Sequence, residues 1–398
     1  MKIKRLLLLG GSAQQVVAIT TAKNMGIYTI VCDYLADNPG QFYADKFYLE
    51  STTNKEAILE IAQKENIDGI VAYASDPAAP TAAFVAEKLG LPTNNYASVQ
   101  ILCNKDKFRD FLRANGFNTP LSIAYTSIEE KSIFSKFNFP VIVKPVDSSG
   151  SKGITVVRGQ DSILDAMKFA LSFSRSGKCI VEEFIENKNK YLIGGDVFVV
   201  DGKVIMWGLL NCHRDSEVNP LVPVGKSYPL CLGEEDEFNV KKCIQKIVDK
   251  LGIKQGAMNV ELIVDKAGKV WPIDMGPRNG GNMIPDLLGY IYGIDVVKMT
   301  IDVALGNKVV CDINYAKPYY ATHNLHSKEN GKFEEIIFSQ CLEDKIIKKV
   351  IYKKKGDEVE YFDNAAKALG IIFMHFESKE DMLKILENIN EHIKIKLL

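Results

Sequence analysis

At 398 residues the chain is long enough for two or three domains with a sizeable core, and 46% hydrophobic against 25% charged residues is ordinary for a globular protein. A formal net charge of −1 excludes an electrostatic case for nucleic acid or an anionic membrane as partner. Eight cysteines, at 32, 103, 179, 212, 231, 243, 311 and 341, include no CxxC pair, so no zinc or disulfide framework is expected and a reducing, cytoplasmic setting fits.

The apolar run Leu6–Leu9 is too short for a membrane span or a signal segment, and residues 3–9 read as a strand. Gly10-Gly11-Ser12, an amphipathic segment to Met25, and a second apolar run Tyr28–Cys32 ending at Asp33 complete a strand–turn–helix–strand unit. That is the opening of a doubly wound parallel sheet. The pattern repeats with a helix over 54–66, a strand Gly69–Tyr73, and a helix that Ser75-Asp76-Pro77 begins and Leu89-Gly90 ends. Asp76 reads most simply as an N-cap with proline at N1. Its position at the carboxyl end of a parallel strand, where ligands of such sheets bind, gives it a second reading as a substrate contact.

Near residue 100 the texture changes. Asn104–Asn115 is a charged helix closed by Gly116. Val141–Val143 and Ile154–Val157 read as strands flanking Lys144 and the small, flexible loop Ser148-Ser149-Gly150-Ser151-Lys152-Gly153. Glycines there allow close backbone approach, and serine hydroxyls beside backbone N–H groups suit a phosphate. Cys179–Glu182 is a strand running into Glu183-Phe184-Ile185. Asp196–Val200 and Val204–Leu210 form a hairpin about Asp201-Gly202. Helix 236–251 precedes a second hairpin, Met258–Val264 and Val270–Asp274, and then Arg278-Asn-Gly-Gly-Asn282. Helical sequence runs to Leu305-Gly306. Strands follow, and an amphipathic helix Glu380–Ile393 is expected to end the chain. His213 and Arg214 read either as substrate-site residues or as solvated loop. His323-x-x-His326 lies in a strand whose alternation sends the two rings to opposite faces, which argues against a metal pair.

Taken in order, five segments resemble the ATP-grasp superfamily over most of the chain. Asn104-Lys105 through Gly116-Phe-Asn-Thr-Pro120 is similar to its lysine helix, and Val141-Ile-Val-Lys144-Pro with Ser148–Gly153 to its second lysine and phosphate loop. Val181-Glu-Glu-Phe-Ile185 is similar to the adenine hinge; Asn259-Val-Glu261 and Ile273-Asp274-Met-Gly-Pro-Arg278 are similar to the metal and catalytic strands. The resemblance implies a mixed α/β and α+β fold. It would comprise an N-terminal doubly wound parallel-sheet domain (1–100), a two-lobed ATP-grasp domain (101–308, lobes about 118–183 and 186–308) and a small β-rich C-terminal unit (309–398).

The resemblance also implies site roles. ATP would be held by Lys105, Lys144, Ser148, Ser149, Gly150, Ser151, Gly153, Glu182, Glu183, Phe184, Ile185 and Asp196, the last standing near the ribose. Lys107 rivals Lys105, but the distance to Gly116 favours Lys105. Mg²⁺, with Mn²⁺ as a substitute, would be held by Glu261 and Asp274, because such ions take oxygen ligands and phosphates. Arg278 would be the catalytic cation, its planar fork suited to a transferring phosphoryl group. Asp76, His213, Arg214 and Asn279 are the candidate substrate residues. Many relatives carry Glu at Asp274 and Asn at Gly276, and Asn279 or Asn282 could supply the missing amide.

The implied reaction is ATP-dependent ligation of a small carboxylate to an amine through an acyl phosphate. A bicarbonate-using carboxylase or carbamoyl-phosphate-type enzyme, or a nucleotide-binding regulatory protein without turnover, are the alternatives. A homodimer is left open.

Overall fold

The computed structural model describes residues 3–128, 136–313 and 316–398; residues 129–135, within the expected first lobe, lie outside them. The chain begins with a parallel sheet of β1 (Arg5–Leu9), β2 (Tyr28–Asp33), β3 (Lys46–Leu49) and β4 (Gly69–Val71), in the order β3-β2-β1-β4. The Leu6–Leu9 run is buried throughout, as a central strand covered on both faces requires. Helix α1 (Val16–Asn24) joins β1 to β2, α2 (Lys55–Glu65) joins β3 to β4, and α3 (Ala79–Leu89) follows β4. In α2, Asn54 caps the start by accepting from the Ala57 amide, and Asn66 ends it in the left-handed region.

The cap reading of Asp76 is corrected here. Helix α3 starts at Ala79, with Ala78 at the cap and Pro80 in the first turn. Asp76 is left in the strand–helix loop, where its carboxylate is free to pair with a distant cation.

Helices α4 (Tyr96–Leu102) and α5 (Lys105–Ala114) lead out of this sheet. Lys105, Phe108, Arg109 and Leu112 form the buried stripe of α5, at the helical spacing of three and four. Two cations are thereby carried on a core-facing surface.

A second sheet contains β5 (Ser122–Tyr125), β6 (Val141–Pro145), β7 (Thr155–Val157) and β8 (Cys179–Glu183), ordered β5-β8-β6-β7 and backed by α6 (Ile163–Ser172). Strands β6 and β7 are the arms of the expected glycine-rich hairpin, with Val141 opposite Val157.

Eight strands form the largest sheet. Its first part comprises β9 (Leu192–Val200), β10 (Lys203–Asp215), β11 (Asn219–Tyr228), β12 (Gly256–Val264) and β13 (Val270–Gly276). Asp201 and Gly202 both adopt positive φ between β9 and β10, the tight hairpin turn expected there. Helix α7 (Glu234–Leu251) packs on one face. Helix α8 (Ile284–Tyr292) packs on the core containing Phe198 and Leu210, and α9 (Val296–Ala304) reaches back to bury Val297 and Ile301 against β1 and α1.

After α9 come β14 (Tyr320–Leu325), β15 (Gly331–Phe338), α10 (Gln340–Glu343), β16 (Ile346–Ile351), β17 (Glu358–Val359) and β18 (Gly370–His375). Strands β14, β18 and β16 extend the large sheet beyond β11, giving β13-β12-β9-β10-β11-β14-β18-β16. The expected terminal helix is shorter than the sequence suggested. It divides into α11 (Lys379–Glu387) and α12 (Ile389–His392), and the chain ends in strand β19 (Ile393–Leu397), which pairs with β15. Among the described residues no helix is long and apolar enough to cross a membrane.

Candidate functional site

A cleft of about 370 Å³ opens where the carboxyl ends of the first sheet, the glycine-rich hairpin, α5 and the β12–β13 hairpin converge. Lys105, Ser148, Ser149, Gly150, Ser151, Glu261, Asp274, Arg278 and Asp76 all line it. Residues more than two hundred positions apart are thus gathered by topology.

The cleft is built from cross-strand register. Glu261 on β12 lies opposite Asp274 on β13, so two carboxylates stand side by side. Lys105 enters from α5, whose first amide donates to the Val146 carbonyl at the exit of β6. The Lys105 ammonium donates to Asp274 Oδ2 at 3.0 Å and to the Ser148 carbonyl at 3.2 Å. Burial alone would push the lysine down, but Asp274 outweighs it and holds Lys105 above its ordinary value. Asp274 moves reciprocally: against its desolvation, Lys105 keeps it ionised below the usual range. Lys107, the rival, reaches Gln100 instead.

Arg278 follows β13. Its guanidinium pairs with Asp76 and donates from Nη1 to the Asn279 carbonyl at 3.0 Å. Its Nε is buried without a hydrogen-bond partner among the described residues, leaving a spare donor. Burial opposes the charge, yet Asp76 raises Arg278 above its usual value. A Cβ at Gly276 would come within 2.4 Å of Asp76 Oδ1 and 3.1 Å of Arg278 Cζ. Glycine is therefore required where the Asp76–Arg278 pair occupies the space of a larger side chain.

The loop between β6 and β7 sits over this assembly. Gly150 and Ser151 both have positive φ. Ser151 Oγ donates to the Leu221 carbonyl at 2.9 Å, and the Ala365 amide reaches the Gly150 carbonyl at 3.4 Å. The loop's backbone turn thus lies between Lys105 and the outer strands.

Several predicted residues are not brought to the cleft wall. Lys144 and Glu182 are buried together: Glu182 takes Lys144 Nζ at 2.5 Å and Arg109 Nε at 2.7 Å, and Arg109 also donates to the Ile273 carbonyl at 2.7 Å. Desolvation would raise Glu182, but these two cations hold it at about 2. Gly153 turns the chain against Pro145 and Phe173. Glu183 is exposed at the end of β8; Phe184 and Ile185 are half-buried beyond it. Asp196 is fully buried and accepts from the Gly280 amide at 2.8 Å and from Asn259 Nδ2 at 2.9 Å, so it braces the 276–282 turn rather than facing a ribose. Asn279 is buried too, its Oδ1 taken by Thr300 at 3.1 Å. That removes it as a substitute amide, whereas Asn282 does line the cleft.

His213 and Arg214 border a separate cavity of about 730 Å³, with Lys190, Tyr191, Cys212 and Glu387. His213 Nε2 lies 2.8 Å from Ser227 Oγ, and burial lowers the imidazole to about 4. Arg214 donates to the Leu221 carbonyl. His326 sits beyond β14 on Asp215 at 3.1 Å, with its ring centroid 5.4 Å from that of His323.

Sequence reasoning missed Lys226, which lines the cleft from β11, and Gln14, whose Oε1 accepts from the Asn282 amide and so joins α1's loop to the post-β13 turn. Strand β11 contains Pro220, Pro223 and Gly225, which conceal the strand pattern. The spacing of Lys105 and Arg109 on α5 was the signal that could have found the Arg109 anchor.

Glu261 and Asp274 fit a hard divalent cation, since both offer oxygen. Among the described residues no group of three or more His, Cys, Asp or Glu gathers as a complete metal site. An ion held by this pair would complete its shell with phosphate oxygens and water.

Comparison with known proteins identifies the family and the fold. A family model, carbamoyl-phosphate synthase L chain ATP-binding domain, matches residues 104–311. A formate-dependent phosphoribosylglycinamide formyltransferase of Prochlorococcus marinus is 33% identical over 189 residues, 46% of this chain and 48% of that protein. The match thus spans about half the length of that relative. Two crystal structures align over the whole of both chains: a phosphoribosylglycinamide synthetase from Anaerococcus prevotii (24% identity, TM-score 0.77) and an L-amino acid ligase from Bacillus licheniformis (19%, 0.82). These last two show likeness of fold.

Proposed function

Because the chain belongs to the family of the carbamoyl-phosphate synthase L chain ATP-binding domain, within the ATP-grasp superfamily, we propose that it is an ATP-dependent ligase joining a small carboxylate to an amine. The observation that carries this reading is the convergence of the Ser148–Ser151 turn, Lys105, the Glu261–Asp274 pair and Arg278 in one cleft. We propose the domain division 1–100, 101–308 and 309–398 with it.

Phosphates would lie under the Ser148–Ser151 backbone, with Lys105 beside them and Lys226 supplying a further positive charge from the opposite wall. Mg²⁺, when bound, would neutralise charge on the migrating phosphoryl group. Glu261 and Asp274 would hold that ion. Arg278 would hold the acyl phosphate formed when the substrate carboxylate attacks, with its fork oriented by Asp76. An amine then displaces phosphate, and the loop's contacts to Leu221 and Ala365 keep water from the intermediate.

The test is release of ADP and phosphate from Mg·ATP across a panel of carboxylates and amines. Release that depends on a carboxylate–amine pair is expected. Nucleotide binding without release for every pair would overturn the ligase reading.

A further inference from the structure

Cys212 on β10 and Lys226 on β11 are register partners, and Lys226 Nζ lies 2.6 Å from Cys212 Sγ. An ordinary N–H···O bond is about 2.9 Å, and sulfur is larger than oxygen, so this contact is too short for a hydrogen bond. It is too long for a direct single bond, which would measure roughly 1.5–2 Å. One oxygen atom placed between them, with single bonds of about 1.4–1.7 Å meeting near the tetrahedral angle, spans the gap. Gly194 leaves room for the pair: a Cβ there would lie 2.4 Å from the sulfur and 2.8 Å from the nitrogen. Both residues are buried, and Lys226 has no ion pair among the described residues. Each nevertheless lines an open space, Lys226 the cleft and Cys212 the larger cavity.

We propose that Cys212 and Lys226 form a reversible oxygen-bridged S–O–N link, a redox modification that removes a cation from the cleft. The oxidant class is a hydroperoxide. One hydrogen peroxide converts the thiol to a sulfenic acid and water. A second oxidises the lysine amine to a hydroxylamine and water, the ammonium's extra proton passing to solvent. The hydroxylamine oxygen then bonds to sulfur as the sulfenic oxygen leaves as water. The sum is thiol, amine and two peroxides giving the link and three waters. Four electrons from two dithiols reverse it, regenerating thiol and amine with release of one water.

The full chain is treated with hydrogen peroxide and mapped by mass spectrometry. A joined peptide pair carrying 212 and 226, heavier by about 14 Da than the two unmodified peptides together, is expected, with loss on adding dithiothreitol. Cys212→Ala and Lys226→Arg should each lack it. Sulfenic or sulfinic acid at Cys212 without joined peptides, or a joined pair that persists in Lys226→Arg, overturns the link. Its effect on the cleft rests on the function proposed above, and is read separately: ATP affinity should fall at least tenfold on oxidation and recover on reduction. Unchanged affinity in the linked protein overturns the switch. Absence of ATP binding in the reduced protein, with the link still formed, overturns the function reading and leaves the modification standing.

Discussion

Gly276 and Asp76 share one small volume, and the chemistry of the cleft depends on which of them fills it. Gly276→Asn would drive a side chain into Asp76 and Arg278. The expected result is a stability loss of about 1–3 kcal/mol by thermal melting, with at least a tenfold loss of turnover as Arg278 is displaced. The two carboxylates should behave differently from one another. Asp274→Asn removes the partner of buried Lys105, so it should lower both the melting temperature and the turnover. Among the described residues Glu261 has no such partner to strand, so Glu261→Gln should leave melting unchanged while turnover drops roughly a hundredfold. Equal melting losses for both would separate the Lys105 pair from the stability of the fold. Asp196 offers a pH test. Burial raises it from 3.8 to about 6. In that window the native carboxyl keeps a proton that the unfolded chain has released, so stability falls as pH rises through it and then levels. The difference is on the order of 3 kcal/mol, and it should vanish from the melting profile of Asp196→Asn.

Among the elements, α5, β6 and β8 are joined by one buried triad. Arg109 and Lys144 share Glu182 in a place where water cannot replace a lost partner. Lys144→Met should therefore cost about 3 kcal/mol in denaturant unfolding, because a buried carboxylate loses half its compensation. If the loss appears only in ATP affinity, Lys144 belongs to the nucleotide and not to the triad. The elements differ in how openly the sequence announced them. The β12–β13 hairpin was legible, since alternating apolar residues and a Lys266–Lys269 turn set its register and so placed Glu261 opposite Asp274. Helix α5 was legible through its closing glycine. Strand β11 was hidden by its prolines. Asp76 was misread because Asp-Pro after a strand has the local signature of a cap, while its actual partner lies 202 residues away. The terminal strand had a signal that went unused: Ile393-Lys-Ile-Lys-Leu397 alternates with period two, as a strand with one covered face does.

For the molecule as a whole, the junction between the first sheet and the rest is as consequential as the cleft. Helix α9 lies between β13 and β14 in sequence, both strands of the large sheet, yet packs on β1 and α1, and Lys4 Nζ reaches the Leu305 carbonyl at 3.0 Å. Gly69 in β4 touches α9 so closely that a Cβ would lie 2.5 Å from the Ala304 carbonyl oxygen. Gly69→Val should wedge the two apart, costing about 1–3 kcal/mol and opening the junction to limited proteolysis. Turnover should fall with it, since Asp76 and Gln14 enter the cleft from that side. Intact turnover with increased cleavage would show that the cleft tolerates the displacement.

The continuity of the eight-stranded sheet bears on how this chain can be divided. The matched family segment ends at residue 311, between β11 and the strand beside it, β14. A fragment stopped there would keep β11 but lose the neighbour that pairs with Gly225–Tyr228. Its backbone N–H and C=O groups would then form a raw margin, ready to recruit any extended chain, including another copy of itself. Such a fragment should precipitate or multimerise while the whole chain remains dispersed.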